Sequence, residues 1–590
     1  MNNNKDFYDF FHDHIVNVVK EISISKNIAF TENFINFIVE NPKQDSFGDI
    51  STNVAMFLSK FFNMNAMDLA EEFSYEIKNN INLNKYIHSI NFIKPGFINI
   101  TLNHNFWHQW LQEAFLLGNN YGKLNIGNNL KVNIEYVSAN PTGPMHIGHG
   151  RGAVIGDVLA NLYKFVGFDV TKEYYINDAG NQIVILGKSL YYRYLEQLGL
   201  ADNAIKEDEF YPGEYLIECA KNLVSKVGDL YCKQLDQSTL NFMCDFALSA
   251  MITMIKNDLD LINIKHDIFV SEKEISTDAS YNKTLQSLFK KDLIYQGVLN
   301  PPKGKIIEDF EAREQKLFKS TIFGDDVDRP LEKNDGSRTY FANDIVYHHY
   351  KINRGYNLLI NIWGADHIGY IKRVDCAVNA LSNNSVKLKV ICTQLVNLLE
   401  NGNPVKMSKR AGNFITLKEV VDMVGVDAFR FMMIIRKNDV PIDFDLLKIK
   451  EQSNDNPVFY IQYAYARICS VINNIKENFP NIDFENNLQY NLSLLSDESE
   501  IKLIKNILTF PLVLNTAVRY NDPHRLYLYL NDIAKNFHSL WNKGKENNDL
   551  RFVIKDNLLL TMTRLSLLRF LQSVIFNVFS ILSINIKENM

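Results

Sequence analysis

The chain has 590 residues, of which 46% are hydrophobic and 22% charged, as in large globular proteins with several domains. Its formal net charge of −6 gives no overall basic field, so a nucleic acid would have to be bound by local basic patches. Its six cysteines form no CxxC pair and lie near no histidine cluster, which argues against a disulfide framework or a zinc site. Because it shows neither a signal core nor an uninterrupted apolar span, we expect a cytoplasmic protein that does not cross a membrane.

The first 115 residues are predicted to form a separate α+β module. Apolar residues at helical spacing between positions 7 and 22 indicate an amphipathic helix. The strand pattern of residues 91–102 is interrupted by the turn residues Pro95 and Gly96. Both patterns are structural and indicate no chemistry by themselves.

The first candidate site follows a predicted strand. Residues 131–137 alternate apolar and polar side chains, residues 140–144 are turn formers, and a helical pattern starts at His146. His149 follows His146 by three positions, which places both imidazoles on one face of the first turn, where unpaired backbone N–H groups favour an anion. Gly148 has no Cβ and allows a flat ligand to lie against the backbone. By itself, such a histidine pair is more often structural than functional.

The α/β pattern continues downstream with one interruption. A strand at 170–176 leads into a polar turn at 177–180, of the kind that faces a ligand crevice. Residues from about 200 to 330 are predicted to form a mostly helical insertion with no recognisable catalytic residue. The pattern returns at 357–370, where an apolar strand ends just before Asp366, a carboxylate placed to hold a ribose hydroxyl or a cation.

The C-terminal part, from residue 456 to 590, is predicted to be all-α. Its first helix carries four aromatic side chains and one cationic side chain, at Phe459, Tyr460, Tyr463, Tyr465 and Arg467. These side chains either pack in the core or form a stacking and cationic surface for unpaired bases, and their spacing alone favours the core.

A second motif, Lys406-Met407-Ser408-Lys409-Arg410, lies far downstream of His146-Ile147-Gly148-His149. Alone it would be read as a solvated basic turn. The two motifs in this order resemble the HIGH and KMSKS motifs of class I aminoacyl-tRNA synthetases, the first of which also occurs in nucleotidylyltransferases. Adenylation of a carboxylate places extra negative charge on phosphorus, so His146, His149, Lys406 and Lys409 are the catalytic candidates. The attacking carboxylate is already ionised and needs no general base, so positioning and electrostatics would carry the step.

The expected nucleotide is ATP with Mg²⁺, held mostly by its phosphates and water; we expect no protein metal site, no zinc and no organic cofactor. The ATP-binding candidates are the residues of the two motifs and one carboxylate, namely His146, Gly148, His149, Asp366, Lys406, Met407, Ser408 and Lys409.

Longer segments resemble the arginyl-tRNA synthetase family over nearly the whole chain; they are EYVSANPTGPMHIGHGRGAVIGD, YYINDAGNQI, FGDDVDRPL, DGSRTYFANDIVYH, WGADHIGY and NPVFYIQYAYARI. The resemblance implies an α/β fold in four parts: an N-terminal tRNA-binding module (1–115), a Rossmann-type parallel-sheet catalytic domain (116–395, insertion at about 200–330), the lysine loop with linking helices (396–455), and an all-α anticodon-binding domain (456–590). It also implies a monomeric ligase that forms arginyl-adenylate from ATP and L-arginine when tRNA is bound, and transfers arginyl to the tRNA 3′ end.

The resemblance also implies roles for individual residues. Arginine would contact Glu135, Ser138, Asn140, His149, Tyr340 and Asp344. Asp344 would pair with the guanidinium, because a planar fork of five donors is best matched by a carboxylate beside a phenol. Asp366 stands where the family often has glutamine, so it is assigned either to arginine or to the ATP ribose. For the tRNA, the implied contacts are Phe97 and Asn99 at the elbow and Tyr460, Tyr463 and Arg467 near the anticodon loop.

Two alternatives remain open at this point. One is another class I synthetase, although the chain shows neither the zinc-ligand cysteines of a cysteine enzyme nor the long editing insertion of the branched-aliphatic enzymes. The other is a catalytically inactive tRNA-binding homologue, against which the two intact motifs argue.

Overall fold

The computed structural model describes residues 6–201, 210–299, 314–333, 335–405, 415–451, 453, 456–480 and 490–589. Its N-terminal part is an antiparallel sheet covered by helices, as the α+β prediction requires. The elements are α1 (Phe7–Ser25), β1 (Val39–Glu40), β2 (Ile50–Thr52), α2 (Val54–Phe62), α3 (Ala66–Asn79), β3 (Ile87–Ile93), β4 (Phe97–Leu102) and α4 (His104–Leu117). The strand order is β1-β2-β4-β3, and the predicted turn at Pro95 and Gly96 joins β3 and β4 in a hairpin.

The central part of the chain contains the main sheet and the helices that pack around it. Its elements are β5 (Lys131–Glu135), α5 (Ile147–Phe165), β6 (Asp169–Ile176), α6 (Asn181–Gln197), α7 (Tyr215–Val227), α8 (Gln237–Leu261), β7 (Ile268–Ser271), α9 (Glu272–Ile275), α10 (Asp278–Phe289), β8 (Ile294–Gly297), β9 (Gln315–Phe318), β10 (Arg329–Pro330), α11 (Tyr340–Asn353), β11 (Leu358–Gly364), α12 (Ile371–Ser382) and β12 (Lys387–Thr393).

A five-stranded parallel sheet, in the order β12-β11-β5-β6-β7, forms the core of this part and confirms the predicted Rossmann-type architecture. The chain leaves β5 through α5 toward β6, but leaves β11 through α12 toward β12, on the opposite side. The order therefore reverses between β5 and β11. In parallel α/β sheets, the crevice beyond the carboxyl ends of two such strands is where ligands bind.

The segment from about 200 to 330 is mostly helical, as expected, but its described residues also contain four short strands. Helices α6, α7 and α8 do pack together around a common apolar cluster. However, β7 is the fifth strand of the central sheet, and β8, β9 and β10 form a small antiparallel sheet. Each of these strands has at most four residues, too few for alternation to be recognised in the sequence.

The rest of the chain connects the central sheet to the helical C-terminal part. Its elements are β13 (Val396–Glu400), β14 (Asn403–Pro404), α13 (Leu417–Val424), α14 (Val426–Met432), β15 (Ile442–Asp445), α15 (Pro457–Asn478), α16 (Glu498–Leu508), α17 (Phe510–Tyr520), α18 (His524–Glu546) and α19 (Leu558–Leu582). A three-stranded sheet, β14-β13-β15, was not expected from the sequence. The helices from α15 onward confirm the all-α prediction.

Three helical stretches among the described residues are long and apolar enough to cross a membrane, judged by length and composition only. They are Gln237–Leu261, Glu498–Tyr520 and Leu558–Leu582. In the last of them, 72% of the most apolar stretch is buried inside the protein. Its apolar side chains are therefore explained by packing against other helices.

A buried charged network joins α5 to the C-terminal helix. Asp157 on α5 accepts hydrogen bonds from Arg430 Nη2 and Lys172 Nζ, both at 2.7 Å. Arg430 also donates to the carbonyls of Ile262 (2.7 Å) and Leu582 (2.8 Å). Burial opposes ionisation of Asp157, but the two cations hold its pKa below the ordinary value. The network fixes the end of α19 against the helix that starts at the candidate site.

Replacing Arg430 by Met should lower the free energy of unfolding by about 3 kcal/mol. The buried Asp157 would lose Arg430, which is more deeply buried than its other cationic partner, Lys172. The midpoint of thermal unfolding would report the loss. Arg436→Met, at an exposed position a few residues along, is the matched control and should unfold like the wild type. Equal midpoints for the two variants would show that the network does not stabilise the fold.

Candidate functional site

The histidine pair lies at the start of α5, at the carboxyl end of β5. His146 is the N-cap residue, and the two imidazole rings stack with centroids 3.7 Å apart. The backbone N–H of His146 donates to Nδ1 of His149 at 3.3 Å, so a neutral His149 carries its proton on Nε2. A Cβ at position 148 would lie only 3.1 Å from the His146 ring. Glycine therefore also avoids crowding of this ring.

The loop before the histidines has a strained backbone. Val137 and Ser138 have φ values of 71° and 38°, a region that residues other than glycine rarely adopt, and a β-branched residue such as valine least of all. The Ser138 hydroxyl donates to Glu135 Oε1 at 3.2 Å, and Asn140 Oδ1 accepts from Asn177 Nδ2 at 3.2 Å. Strain of this kind persists where surrounding contacts hold it, and it is common at ligand sites.

Helix α11 brings Asp344 to the same crevice. The Tyr370 hydroxyl donates to its carboxylate. Burial, and then the charges of Glu135 and Glu272, raise the pKa of Asp344 to about 7, although Tyr370 and Lys351 oppose the shift. A cationic ligand would relieve this repulsion, so the site favours binding of a positive group.

Both carboxylate oxygens of Glu135, a predicted arginine contact, have hydrogen-bond partners within the protein. Its Oε2 accepts a hydrogen bond from Lys351 Nζ at 2.6 Å, and Ser138 occupies its Oε1. Lys351 is fully buried and also donates to Asn361 Oδ1 at 3.2 Å. The charge of Glu135 is therefore compensated within the protein, and its contact with arginine stays a prediction.

Tyr340 is exposed, and its contact with arginine stays a prediction. It is the first residue of α11 and 80% exposed, and the Lys333 ammonium lies 5.5 Å from its ring centroid. The phenol beside Asp344 is Tyr370, which sequence reasoning missed although it ends the WGADHIGY segment. Because Tyr370 comes from a different part of the chain, only the fold shows this contact.

Asp366 lies at the carboxyl end of β11, exposed at the edge of the crevice. Its Oδ2 is 3.4 Å from His367 Nε2. The structure thus places Asp366 beside the switch point of the sheet but apart from the Asp344 hydrogen-bond network.

The second motif, with Lys406, Met407, Ser408 and Lys409, lies outside the described residues, but the segments on both sides of it are described. Strands β13 and β14 lead toward it. Beyond it, Thr416 forms an antiparallel bridge with His146, and the Leu417 N–H donates to the Met145 carbonyl at 2.8 Å. The segment that follows the second motif therefore pairs with the first motif.

Arg151 holds this arrangement together and was missed in the sequence. Its Nη1 donates to the carbonyls of Gln394 and Leu395 (2.8 and 3.3 Å), and its Nη2 to those of Lys437 and Val440 (2.9 and 2.8 Å). Burial lowers its pKa to about 10. One guanidinium thus ties α5 to the chain just before β13 and to the turn before β15.

The aromatic residues of α15 divide between core and surface. Tyr465 is buried in the core. On another face, Phe459 and Tyr463 stack at 5.7 Å, and the Arg467 guanidinium lies over Tyr463 and Trp541, at 4.3 and 5.0 Å. The Tyr460 ring packs near His538. A cavity of 540 Å³ lies beside this surface; its lining includes Ser470, Asn474, Trp541, Lys545, Arg551 and Phe552.

The two N-terminal candidates differ in accessibility. Both lie on β4, where Phe97 is partly exposed. Asn99 is only 5% exposed and pairs in register with Ser51 and Asn91 of the neighbouring strands. Asn99 is thus largely covered by its neighbours in the sheet, whereas Phe97 is accessible, and both tRNA contacts stay predictions.

Comparisons with known proteins cover all of these regions. Family models match in three parts: the arginyl-tRNA synthetase N-terminal domain at 9–102, the class I tRNA synthetase (R) catalytic domain at 111–448, and the DALR anticodon binding domain at 461–590. The chain is 46% identical over 540 residues to an arginine–tRNA ligase of Brucella suis, covering 91% of this chain and 92% of the relative. It is 45% identical over 559 residues to that of Ruegeria pomeroyi, covering 94% and 95%.

Solved structures are similar as well. A putative arginyl-tRNA synthetase from Campylobacter jejuni has a TM-score of 0.68 at 34% identity, covering 83% of this chain and all of that one. The Thermus thermophilus arginyl-tRNA synthetase has a TM-score of 0.74 at 18% identity, covering 99% of this chain and all of that one, and supports the fold alone.

Replacing Arg151 by Met should loosen the segments on which the second motif is mounted, because four carbonyls would lose their donor. Hydrogen–deuterium exchange should become faster in peptides covering 394–405 and 437–445 and stay unchanged in those covering β6. Lys164→Met, an exposed change on the same helix, is the control. Wild-type protection of both segments in the Arg151 variant would contradict this role.

Proposed function

Because the chain belongs to the arginyl-tRNA synthetase family, we propose that the crevice between β5 and β11 is where it activates arginine. The chain is an arginine–tRNA ligase, and the alternatives of another class I synthetase or an inactive homologue are not favoured. The main support for this site is the bridge between Thr416 and His146. It joins the first motif to the segment that follows the second motif, at the carboxyl end of the central sheet.

ATP, supplied with Mg²⁺ on its phosphates, would lie over the start of α5. Backbone N–H groups and the ring N–H groups of His146 and His149 would donate to the phosphates, while Lys406 and Lys409 would add positive charge from the second motif. Mg²⁺ would be held mostly by the phosphates of the nucleotide and by water. Asp366 is assigned to the ribose side, because it lies apart from Asp344.

The reaction has two steps. The arginine carboxylate attacks the α-phosphorus of ATP, which forms arginyl-adenylate and releases diphosphate. A ribose hydroxyl at the tRNA 3′ end then attacks the carbonyl carbon of the adenylate, which forms arginyl-tRNA and releases AMP. Both steps need the reactants to be aligned and the developing charge to be stabilised, and neither needs a covalent bond to the enzyme.

Arginine would bind with its guanidinium against Asp344 and its carboxylate toward the histidines. Ser138, Asn140 and His149 line that nearer side of the crevice. The planar guanidinium can place two parallel N–H groups on one carboxylate, whereas a lysine ammonium cannot reproduce this fork. Tyr370 donates a hydrogen bond to Asp344, and Tyr340, at the start of the same helix as Asp344, stays a proposed contact of arginine.

For the tRNA, we assign the α15 surface with Arg467 and Trp541 to unpaired bases, because stacked aromatic rings beside a guanidinium suit base stacking. Tyr460 and Tyr463 border this surface, and Phe97 stays the candidate at the tRNA elbow. We also propose that the protein works in the cytoplasm as a monomer, as the family resemblance leads us to expect.

Replacing Asp344 by Asn should raise the KM for arginine by about 100-fold, since a charge-assisted pair would be lost. The KM for ATP should change little. Both constants follow from ATP–diphosphate exchange measured with tRNA present. Asp335→Asn, at an exposed carboxylate in the turn before α11, is the control. An arginine KM equal to that of the wild type would remove Asp344 from the site.

Two substitutions of Arg467 separate stacking from charge. Arg467→Ala should weaken tRNA binding by about tenfold and lower the slope of its salt dependence by about one, because both a stacking group and a cation are lost. Arg467→Lys should keep the slope but lose affinity. Filter binding over a salt series measures both quantities, and wild-type affinity in both variants would exclude this surface.

A further inference from the structure

The loop between β5 and α5 is held by two side chains of the helical insertion that have no role so far. The hydroxyl of Tyr215, the first residue of α7, donates to the Thr142 carbonyl at 2.6 Å. Asp258, near the end of α8, accepts the Met145 backbone N–H with its Oδ2 at 3.0 Å. Thr142 precedes His146 by four positions and Met145 precedes it by one. Both contacts therefore hold the chain directly in front of the histidine pair.

The Tyr215 ring lies directly against the loop backbone at Gly143. A Cβ at position 143 would lie 2.9 Å from both Cζ and Oη of Tyr215, so glycine allows this close approach. Burial raises the pKa of the Tyr215 phenol above its ordinary value, which keeps the hydroxyl protonated and able to donate. The ring contact and the hydrogen bond thus act on neighbouring residues of the loop.

Asp258 and the chain that follows the second motif hold opposite sides of one residue. The Met145 N–H donates to Asp258, while the Met145 carbonyl accepts from the Leu417 N–H at 2.8 Å. Asp258 is only 7% exposed, and burial raises the pKa of its carboxyl group, whereas the Met145 N–H and the charge of Lys418 lower it. Both backbone polar groups of the residue before His146 are therefore fixed, one of them from the insertion.

The insertion is a firm support for these contacts. Helix α8 has 25 residues and is about 37 Å long. Its first half packs with α6 and α7 in one apolar cluster, through residues such as Met251, and its second half packs in the main core through Leu259. A Cβ at position 187 on α6 would lie only 2.4 Å from Cys244 Sγ on α8, so these two helices are in close contact. The contacts with the loop are therefore anchored in a packed helical unit that is continuous with the main core.

Different parts of the protein hold the two halves of the loop. In the first half, the Ala139 carbonyl accepts from the Tyr174 hydroxyl of β6 at 2.8 Å. Asn140 Oδ1 accepts from Asn177 Nδ2, in the turn after β6, at 3.2 Å. The second half, residues 142–145, is held by the insertion. The half of the loop that is nearer to the histidines thus depends on the insertion.

We propose that Tyr215 and Asp258 are positioning residues for adenylation, which fix the loop so that the start of α5 presents its donors to the phosphates of ATP. The proposal rests on the proposed function of the crevice and gives the insertion a task in the reaction. A misplacement of about 1 Å can lower a rate by about 100-fold. Because the donors act most strongly on charge that develops in the transition state, loss of their alignment lowers kcat and leaves KM nearly unchanged.

Tyr215→Phe tests the first contact, because it removes the hydroxyl and keeps the ring against Gly143. In tRNA-dependent ATP–diphosphate exchange with arginine, kcat should fall about tenfold, as for one lost hydrogen bond. The KM values for arginine and ATP should stay within about twofold. Tyr194→Phe is the matched control, since the Tyr194 hydroxyl donates to the Gly228 carbonyl at 2.7 Å among the same helices; this variant should keep the wild-type kcat.

Asp258→Ala tests the second contact, because it leaves the Met145 N–H without its acceptor. Here kcat should fall about 50-fold, as for the loss of a charge-assisted hydrogen bond. Asp258→Asn keeps an acceptor oxygen at the same place and should recover most of this rate. Asp260→Ala, at an exposed position on the same helix, is the control and should exchange like the wild type.

A kcat of Tyr215→Phe equal to that of the wild type would overturn the proposal. So would equal losses of kcat in Tyr215→Phe and Tyr194→Phe together with lowered melting temperatures, because these indicate only a loosened insertion. An Asp258→Asn variant as slow as Asp258→Ala would overturn the role of Asp258 as an acceptor; if Asp258→Ala does not fold, the two tyrosine variants decide. Failure of the wild-type protein to exchange with arginine would instead overturn the proposed function.

Discussion

The antiparallel bridge between His146 and Thr416 brings two distant parts of the chain to one end of the central sheet. Around it, the Leu417 N–H bonds to Met145, and the Arg151 guanidinium binds four backbone carbonyls. These contacts hold the chain on both sides of the second motif against the helix that begins at the first. Hydrogen-bond donors at the first motif are thereby fixed before the reaction. Such preorganised donors stabilise the charge that develops on phosphorus without having to reorient.

The distribution of buried charge in the crevice points to the ligand. Glu135 pairs with the buried Lys351 and Glu173 with the partly exposed Arg354, which suits groups that shape the site. Asp344 has no such ion pair, and burial together with the charges of Glu135 and Glu272 raises its pKa to about 7. A buried charge without a partner is costly, so a site of this kind favours binding of a cation that completes it.

Much of the fold could be predicted from sequence, because long apolar strands, glycine-rich turns and amphipathic helices have local patterns. The histidine pair is local in the same sense. The contacts of Arg151, the pairing of Lys351 with Glu135, and the approach of Tyr370 to Asp344 join residues that are 26 to more than 200 positions apart. No local pattern encodes such contacts, so the sequence alone does not reveal that Tyr370 lies beside Asp344.

The most direct test of the proposed site is a crystal structure of the protein with arginine and a non-hydrolysable ATP analogue. The arginine guanidinium should lie within hydrogen-bond distance of Asp344, and the nucleotide phosphates should lie over the start of α5 at His146 and His149. A guanidinium bound elsewhere, with Asp344 still bonded only to Tyr370, would contradict this account of how the crevice selects its substrate.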